Sequence, residues 1–436
     1  VLEGGTSNAA LGGDFGKASG EIAIHGGSIR AVSTSSGAGI GGGRDGAGTV
    51  SIYGGEVYAQ SGSGAAIGGG HGANGDVTIY GGKITAFLDS TDSGAAIGDG
   101  SGSAAGGGEV TIYGGTVVAE SYTSAAIGGA YLNDGPVTVA IHGGDIRAVS
   151  STGAGIGGGN AGPAPTVLIT GGVINAESGS GAGIGGGSDS DGGTITITGG
   201  AVTAVSNHAA GIGAGSYDRE GGDITISGGL VRATTNTEHP DIGGTGGSDG
   251  TFSTGENGSA VIFADDIGAL DPESGDLSAI VFQNGAGIMY GQSVTPTVSF
   301  DLGDDTLRLG EGQTLVLKEG VAVTGSGGRI VSDGTPGTVE FAGGTVSEGI
   351  LGDDILIIIP TAIEVKTDSQ VFVIGDTAEI TVTVTDAFGD PVSAGSVVLT
   401  AGGYTDTVQL TGGSCTFVYV CDTAGTIEIT LEFPEV

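Results

Sequence analysis

The chain has no Trp, two Cys, one Met and 10 Pro, and only 11 Lys or Arg against 49 Asp or Glu. With a formal net charge of -38, it would repel a nucleic-acid backbone or an anionic membrane surface, so neither is an expected partner. No run of 18 apolar residues occurs, and no membrane-spanning helix is expected. The longest apolar stretch, Ile355 to Pro360, suits one buried strand. The two cysteines sit at the ends of an alternating segment, Cys415-Thr-Phe-Val-Tyr-Val-Cys421. As a single strand this would hold them about 20 Å apart at ~3.3 Å per residue. A disulfide tolerates about 7 Å between Cα atoms, so they are expected not to pair with each other. Such usage suits a secreted protein that does not rely on disulfides. The chain opens on Val1 within what already looks like a repeat, which reads as a piece of a longer protein.

What the chain has in excess is glycine, 98 of 436 residues. That is roughly three times the ordinary share, yet there is no Gly-X-Y period and 38% of residues are hydrophobic, so a packed core can form. Each interior Gly costs a helix about 1 kcal/mol relative to Ala, which leaves strands and turns.

Gly-Gly after a short apolar-x-Ile segment recurs at Gly26, Gly54, Gly81, Gly114, Gly143, Gly171, Gly199 and Gly228, at spacings of 27 to 33 residues. A second marker keeps step: Leu11, Ile40, Ile67, Ile97, Ile127, Ile156, Ile184, Ile212 and Ile242 each follow a small residue and precede Gly. Each repeat thus holds three short β segments, such as 65–67, 77–80 and 83–86. Period-2 alternation points Val77, Ile79, Ile84 and Ala86 inward, and Thr78, Tyr80 and Thr85 outward. Only stacking of successive repeats can bury those inward columns. The fold expected is all-β: a right-handed parallel β-helix, a three-sided solenoid of about 28 residues per coil and about eight coils, over residues 1–250. Residues 251–359 read as degenerate coils and a cap. Residues 360–436, with longer alternating strands, read as a β-sandwich.

Two resemblances follow. Val384-Thr-Asp-Ala-Phe-Gly-Asp-Pro-Val392, Ser396-Val-Val-Leu-Thr400 and Ala424-Gly-Thr-Ile-Glu-Ile429 resemble a bacterial immunoglobulin-like domain of the invasin/intimin type. The Gly-Ile-Gly-Gly-Gly repeats, with Asn257–Ala264 and Leu315–Thr324, are similar to repeat regions of large Gram-positive surface proteins. The resemblance implies an extracellular or cell-surface location and an adhesin-like role; it implies no particular chemistry.

Stacked coils turn each repeat position into a column. The outward position before Gly-Gly reads His25, Tyr53, Tyr80, Tyr113 and His142, five rings on one face. The column is a candidate platform for polysaccharide, its ring faces meeting those of sugars; equally, Tyr and His are ordinary strand residues that stiffen a sheet. Asp76 and Glu109 fall on adjacent coils, near the roughly 5 Å carboxylate separation of a retaining glycoside hydrolase. Arg30, Arg147 and Arg232 share a column but lie on distant coils. The five His show no metal-ligand spacing and no Ser-His-Asp arrangement emerges. Acidic corners are candidate Ca2+ sites, Asp189 and Asp191 of Ser188-Asp-Ser-Asp-Gly192 foremost, ahead of the pairs Asp265-Asp266, Asp304-Asp305 and Asp353-Asp354. Around each Ile marker, Ala10, Gly39, Ala66, Ala96 and Ala126 suggest a smooth outward strip able to pack on a flat partner or a second solenoid. The expectation is a non-catalytic stalk or adhesin that binds glycan or a neighbouring surface protein and requires no certain cofactor. A carbohydrate-active enzyme, hydrolase or lyase, and a self-assembling fibre or surface-layer subunit are the alternatives.

Overall fold

The computed structural model describes residues 1–88, 94–102, 107–132, 134–358, 362–367, 371, 373–385, 391–392, 396–401, 404–422, 424, 426 and 428–432. Every regular element among them is a strand. Of the segments carrying the immunoglobulin-like resemblance, residues 386–390, 425 and 427 lie outside this set, as do 359–360 of the apolar run.

The first solenoid has three walls of parallel strands. The long-strand wall runs from Leu2–Gly4 through Glu56–Ser61 and Lys83–Leu88 to Leu230–Thr235 and beyond, 14 strands in all. A second wall stacks nine two-residue strands, Leu11–Gly12 to Ile242–Gly243, and a third stacks nine more, Glu21–Ile24 to Thr251–Ser253. Identical repeat positions pair in register: Ile67 with Ile97, Ile79 with Ile112, Ile84 with Val117. Ile67, Ile79, Ile84 and Ile112 have no exposed surface. Each such side chain contributes about 1.5–3 kcal/mol when removed from water, which is what holds one coil on the next. Where the long strands end, a serine turns inward and finds a carbonyl of the preceding coil. Ser61 Oγ donates to Gly37 O at 2.8 Å, Ser150 to Ser124 O at 2.7 Å and Ser178 to Gly153 O at 2.7 Å. These buried hydroxyls are thereby satisfied.

The second wall corrects the expectation of a smooth outward strip. In each coil the Ala-x-Ile-Gly-x segment closes into an arch: Ala38 N–H donates to Gly42 O at 2.9 Å, Ala65 to Gly69 at 2.8 Å and Ala125 to Gly129 at 3.0 Å. The Ile sits at the apex and drives into the core, and both arms are covered by neighbouring chain. Ala66, Ala96 and Ala126 have no exposed surface, so they offer nothing to a partner. The Gly after each Ile makes the arch possible. Gly68 has φ +133°, and a Cβ there would collide with the carbonyl oxygen of Gly98 in the next coil.

Residues 286–358 form coils too, but around a second core. Strands Ala260–Phe263 and Ala279–Gln283 extend the long-strand wall in parallel, and the chain then turns at Asn284 (φ 51°) and Gly285 (φ 79°) into the antiparallel strand Ala286–Tyr290. From there Thr306–Leu309 and Arg329–Ser332 continue the wall in the reversed direction. Thr306 pairs with Arg329 and Thr314 with Thr338, so these coils are 23–24 residues long. Ala260, Ile262, Ala279 and Val281 face the first core, whereas Val261, Ile280 and Phe282 face the second, on the opposite side of the same sheet. Burial on both faces explains their unbroken apolar sequence. Reversing strand direction and moving the core across the sheet each invert the sense of winding. Together they restore it, so both solenoids wind with the same hand.

The C-terminal strands form two antiparallel three-stranded sheets, one of Ala362–Thr367, Thr377–Thr385 and Ser414–Val420, the other of Tyr404–Gln409, Ser396–Ala401 and Ile429–Glu432. Ile380, Val382, Leu399 and Phe417 are buried between them. Cys415 and Cys421 are both buried free thiols, not joined to each other. No helix among the described residues is long and apolar enough to cross a membrane.

Candidate functional site

The ring column assembles on the third wall. His25 and Tyr53 lie 4.7 Å apart between centroids, Tyr53 and Tyr80 4.7 Å, Tyr80 and Tyr113 5.2 Å, and Tyr113 and His142 5.0 Å. Their planes are inclined by only 5–19°. Parallel stacking corrects the expected mode of recognition. Each interior ring face is already covered by the next ring, so no flat surface is left for a sugar. What remains outward is edges and phenol hydroxyls: Tyr53, Tyr80 and Tyr113 are 45%, 47% and 50% exposed. Thr170 continues the column, its hydroxyl 2.9 Å from His142 Nδ1. In-register strands place the rings, and the coil rise sets their spacing.

Asp76 and Glu109 do meet on adjacent coils. Asp76 Oδ1 accepts the backbone N–H of Glu109 at 3.2 Å, and Glu109 Oε1 accepts from Thr111 Oγ1 at 3.4 Å. Both side chains are exposed; Asp76 ties its coil to the next, whereas Glu109 bonds within its own strand. Asp189 and Asp191 are likewise committed within the protein. Asp189 Oδ1 accepts from Arg219 Nε at 3.0 Å and also from Arg219 Nη2, while Asp191 Oδ1 accepts the Glu220 N–H at 3.1 Å. The bond to Asp189 raises the Arg219 pKa and holds the guanidinium protonated. A cation already sits where Ca2+ was expected, and no group of three or more metal-ligating side chains occurs among the described residues.

A cleft of about 600 Å³ lies where the two solenoids meet. On one side stands the last regular coil with Arg232 and Glu238; on the other, Asn284 at the turn of the reversing hairpin, with Asp265 after Ala260–Phe263 and Asp305 before Thr306–Leu309. Beneath them Asp241 occupies the arch position that carries Ala or Gly in earlier coils. It is buried, and its carboxylate accepts the N–H of Thr235 at 2.6 Å, Asp265 at 2.6 Å and Asp266 at 3.2 Å. Burial pushes its pKa up, against the pull of those three bonds. The only sequence signal was Asp241 breaking its small-residue column.

A family model described as a β-helix repeat matches residues 22–44, 50–71, 77–101, 110–131, 167–188 and 195–216. These six segments coincide with coils of the first solenoid, four in succession and two more after one unmatched coil, and make it a β-helix repeat region. No curated protein and no solved structure matches the chain.

Proposed function

We propose that the chain is a non-catalytic extracellular or cell-surface module, a stiff acidic stalk that holds an extended polysaccharide along its ring column. The observation that carries this is the row of three half-exposed phenols, in register on successive coils and about 5 Å apart. That repeat is comparable to the advance of one sugar unit in an extended polymer. Because the ring faces are stacked on one another, recognition runs through the hydroxyls, each both donor and acceptor, and through the C–H edges. A single phenol contributes little, so affinity has to come from several rungs engaged together. The acidic surface favours neutral over anionic polysaccharides. The antiparallel C-terminal sheets serve as an immunoglobulin-like spacer.

β-Helix repeats occur in adhesins and in carbohydrate-active enzymes alike. The non-catalytic reading is preferred because Asp76 and Glu109 are both exposed and bonded within the coil stack. A glycan array tests the proposal: affinity should rise steeply with chain length for a neutral polysaccharide series, and bound oligosaccharide should be recovered uncleaved. Cleavage products, or no length dependence, would reject it.

A further inference from the structure

The junction cleft lies on a different wall from the ring column and has a different composition. We infer that it is a second, independent binding site, for a short neutral glycan segment.

Its walls are fixed before any ligand arrives. Arg232 sits over the Phe263 ring, its guanidinium carbon 3.8 Å from the centroid, and Phe263 stacks on Phe282 at 4.4 Å. The guanidinium is thus positioned by a ring, and its N–H groups are the donors it offers the cleft. Opposite, the hairpin tip is clamped to the first solenoid. Asp265 Oδ1 accepts the Asn284 N–H at 2.8 Å, and Asn284 Nδ2 donates to Asp265 O at 3.2 Å. Asp241 ties Thr235, Asp265 and Asp266 together from below. A site held this way loses little entropy on binding.

The lining selects the ligand class. Glu238, Asp265, Asp266 and Asp305 repel phosphate, sulfate and uronic acids. Arg232 in the same cleft disfavours a polycation. The volume is within the range of about 300–1,000 Å³ typical of small-ligand sites. A ligand that both donates and accepts along its length, with C–H groups between, satisfies all of these walls at once. Sugar hydroxyls donate to Glu238 and Asp305 and accept from Arg232, while sugar C–H groups rest on the Phe263 edge.

Calorimetry of the full chain with neutral trisaccharides of glucose, xylose, mannose and N-acetylglucosamine tests this. At least one should bind saturably, about tenfold more weakly to Asp305→Asn or Glu238→Gln, as expected for loss of one charge-assisted hydrogen bond. Glu21→Gln, at an exposed carboxylate on the first coil and in neither proposed site, should leave trisaccharide affinity unchanged. Both cleft variants are near-isosteric surface changes whose melting temperatures can be checked first. Binding of none of the four, or equal binding to the parent and both variants, overturns the inference. Binding of long polymer alone, abolished by Tyr80→Phe, would overturn it while leaving the ring-column proposal standing. Trisaccharide binding lost in the cleft variants, with no length dependence, would support it and reject the column.

Discussion

Val261 and Ile262 are consecutive residues, each without exposed surface, and they belong to different hydrophobic cores. The strand that carries them is therefore the seam of the molecule. Ile262→Ala is expected to cost about 2–5 kcal/mol and Val261→Ala somewhat less. The damage should be separable by hydrogen exchange. Protection should fall in the regular coils for Ile262→Ala and in residues 286–346 for Val261→Ala. The same pattern from both variants would show that the two cores are one.

The arch makes a sharp prediction about glycine. Gly68→Ala forces a side chain into φ +133° and against Gly98 backbone, and should cost about 3 kcal/mol or more. Gly26 has nothing near the site of its missing Cβ and no positive φ. Gly26→Ala should lie within about 0.5 kcal/mol of the parent, or slightly above it. Thermal melts compare them directly; equal effects would mean the arch geometry is wrong.

Much of the first solenoid was legible because its inward positions alternate. Val77, Ile79, Ile84 and Ala86 announce a half-buried strand, and their recurrence announces the stack. The arch was not legible, since Ala65-Ala66-Ile67-Gly68-Gly69 has no alternation to assign faces and small residues read as exposed and as buried equally well. The reversal at Asn284-Gly285 hides for another reason. The apolar runs 260–263 and 279–282 signal burial on both faces, but no spacing signals a second core or a change of direction. For the ring column, alternation placed Tyr53 and Tyr80 on one face yet says nothing of ring orientation, which decides whether faces or edges meet a ligand.

The thiols give a chemical test. Cys415 is buried in the C-terminal sandwich, and burial raises its pKa, so native protein should react slowly with a thiol reagent. After unfolding without reductant, two equivalents should react. A gain of two protons on prior reduction would instead reveal a disulfide.

Asp241 gives a pH test. Its pKa is raised in the folded state, so the folded chain holds this proton more tightly than the unfolded one. The stability it contributes is full below the ordinary aspartate range and is lost as pH rises through the shifted value. Carboxyl NMR titration should find the Asp241 midpoint above the ordinary aspartate value. A midpoint at or below it would mean that the three N–H bonds outweigh desolvation.

The most direct test of the central claim is Tyr80→Phe, which deletes one hydroxyl from the middle of the column and leaves the ring stack in place. Affinity should be measured against a neutral oligosaccharide series of increasing length. Expected are an unchanged melting temperature, little effect on the shortest members, and a loss of several-fold or more for those long enough to span Tyr53, Tyr80 and Tyr113. Unchanged affinity across the series, with Tyr80→Ala lowering the melting temperature, would contradict it and make the column a structural ladder alone.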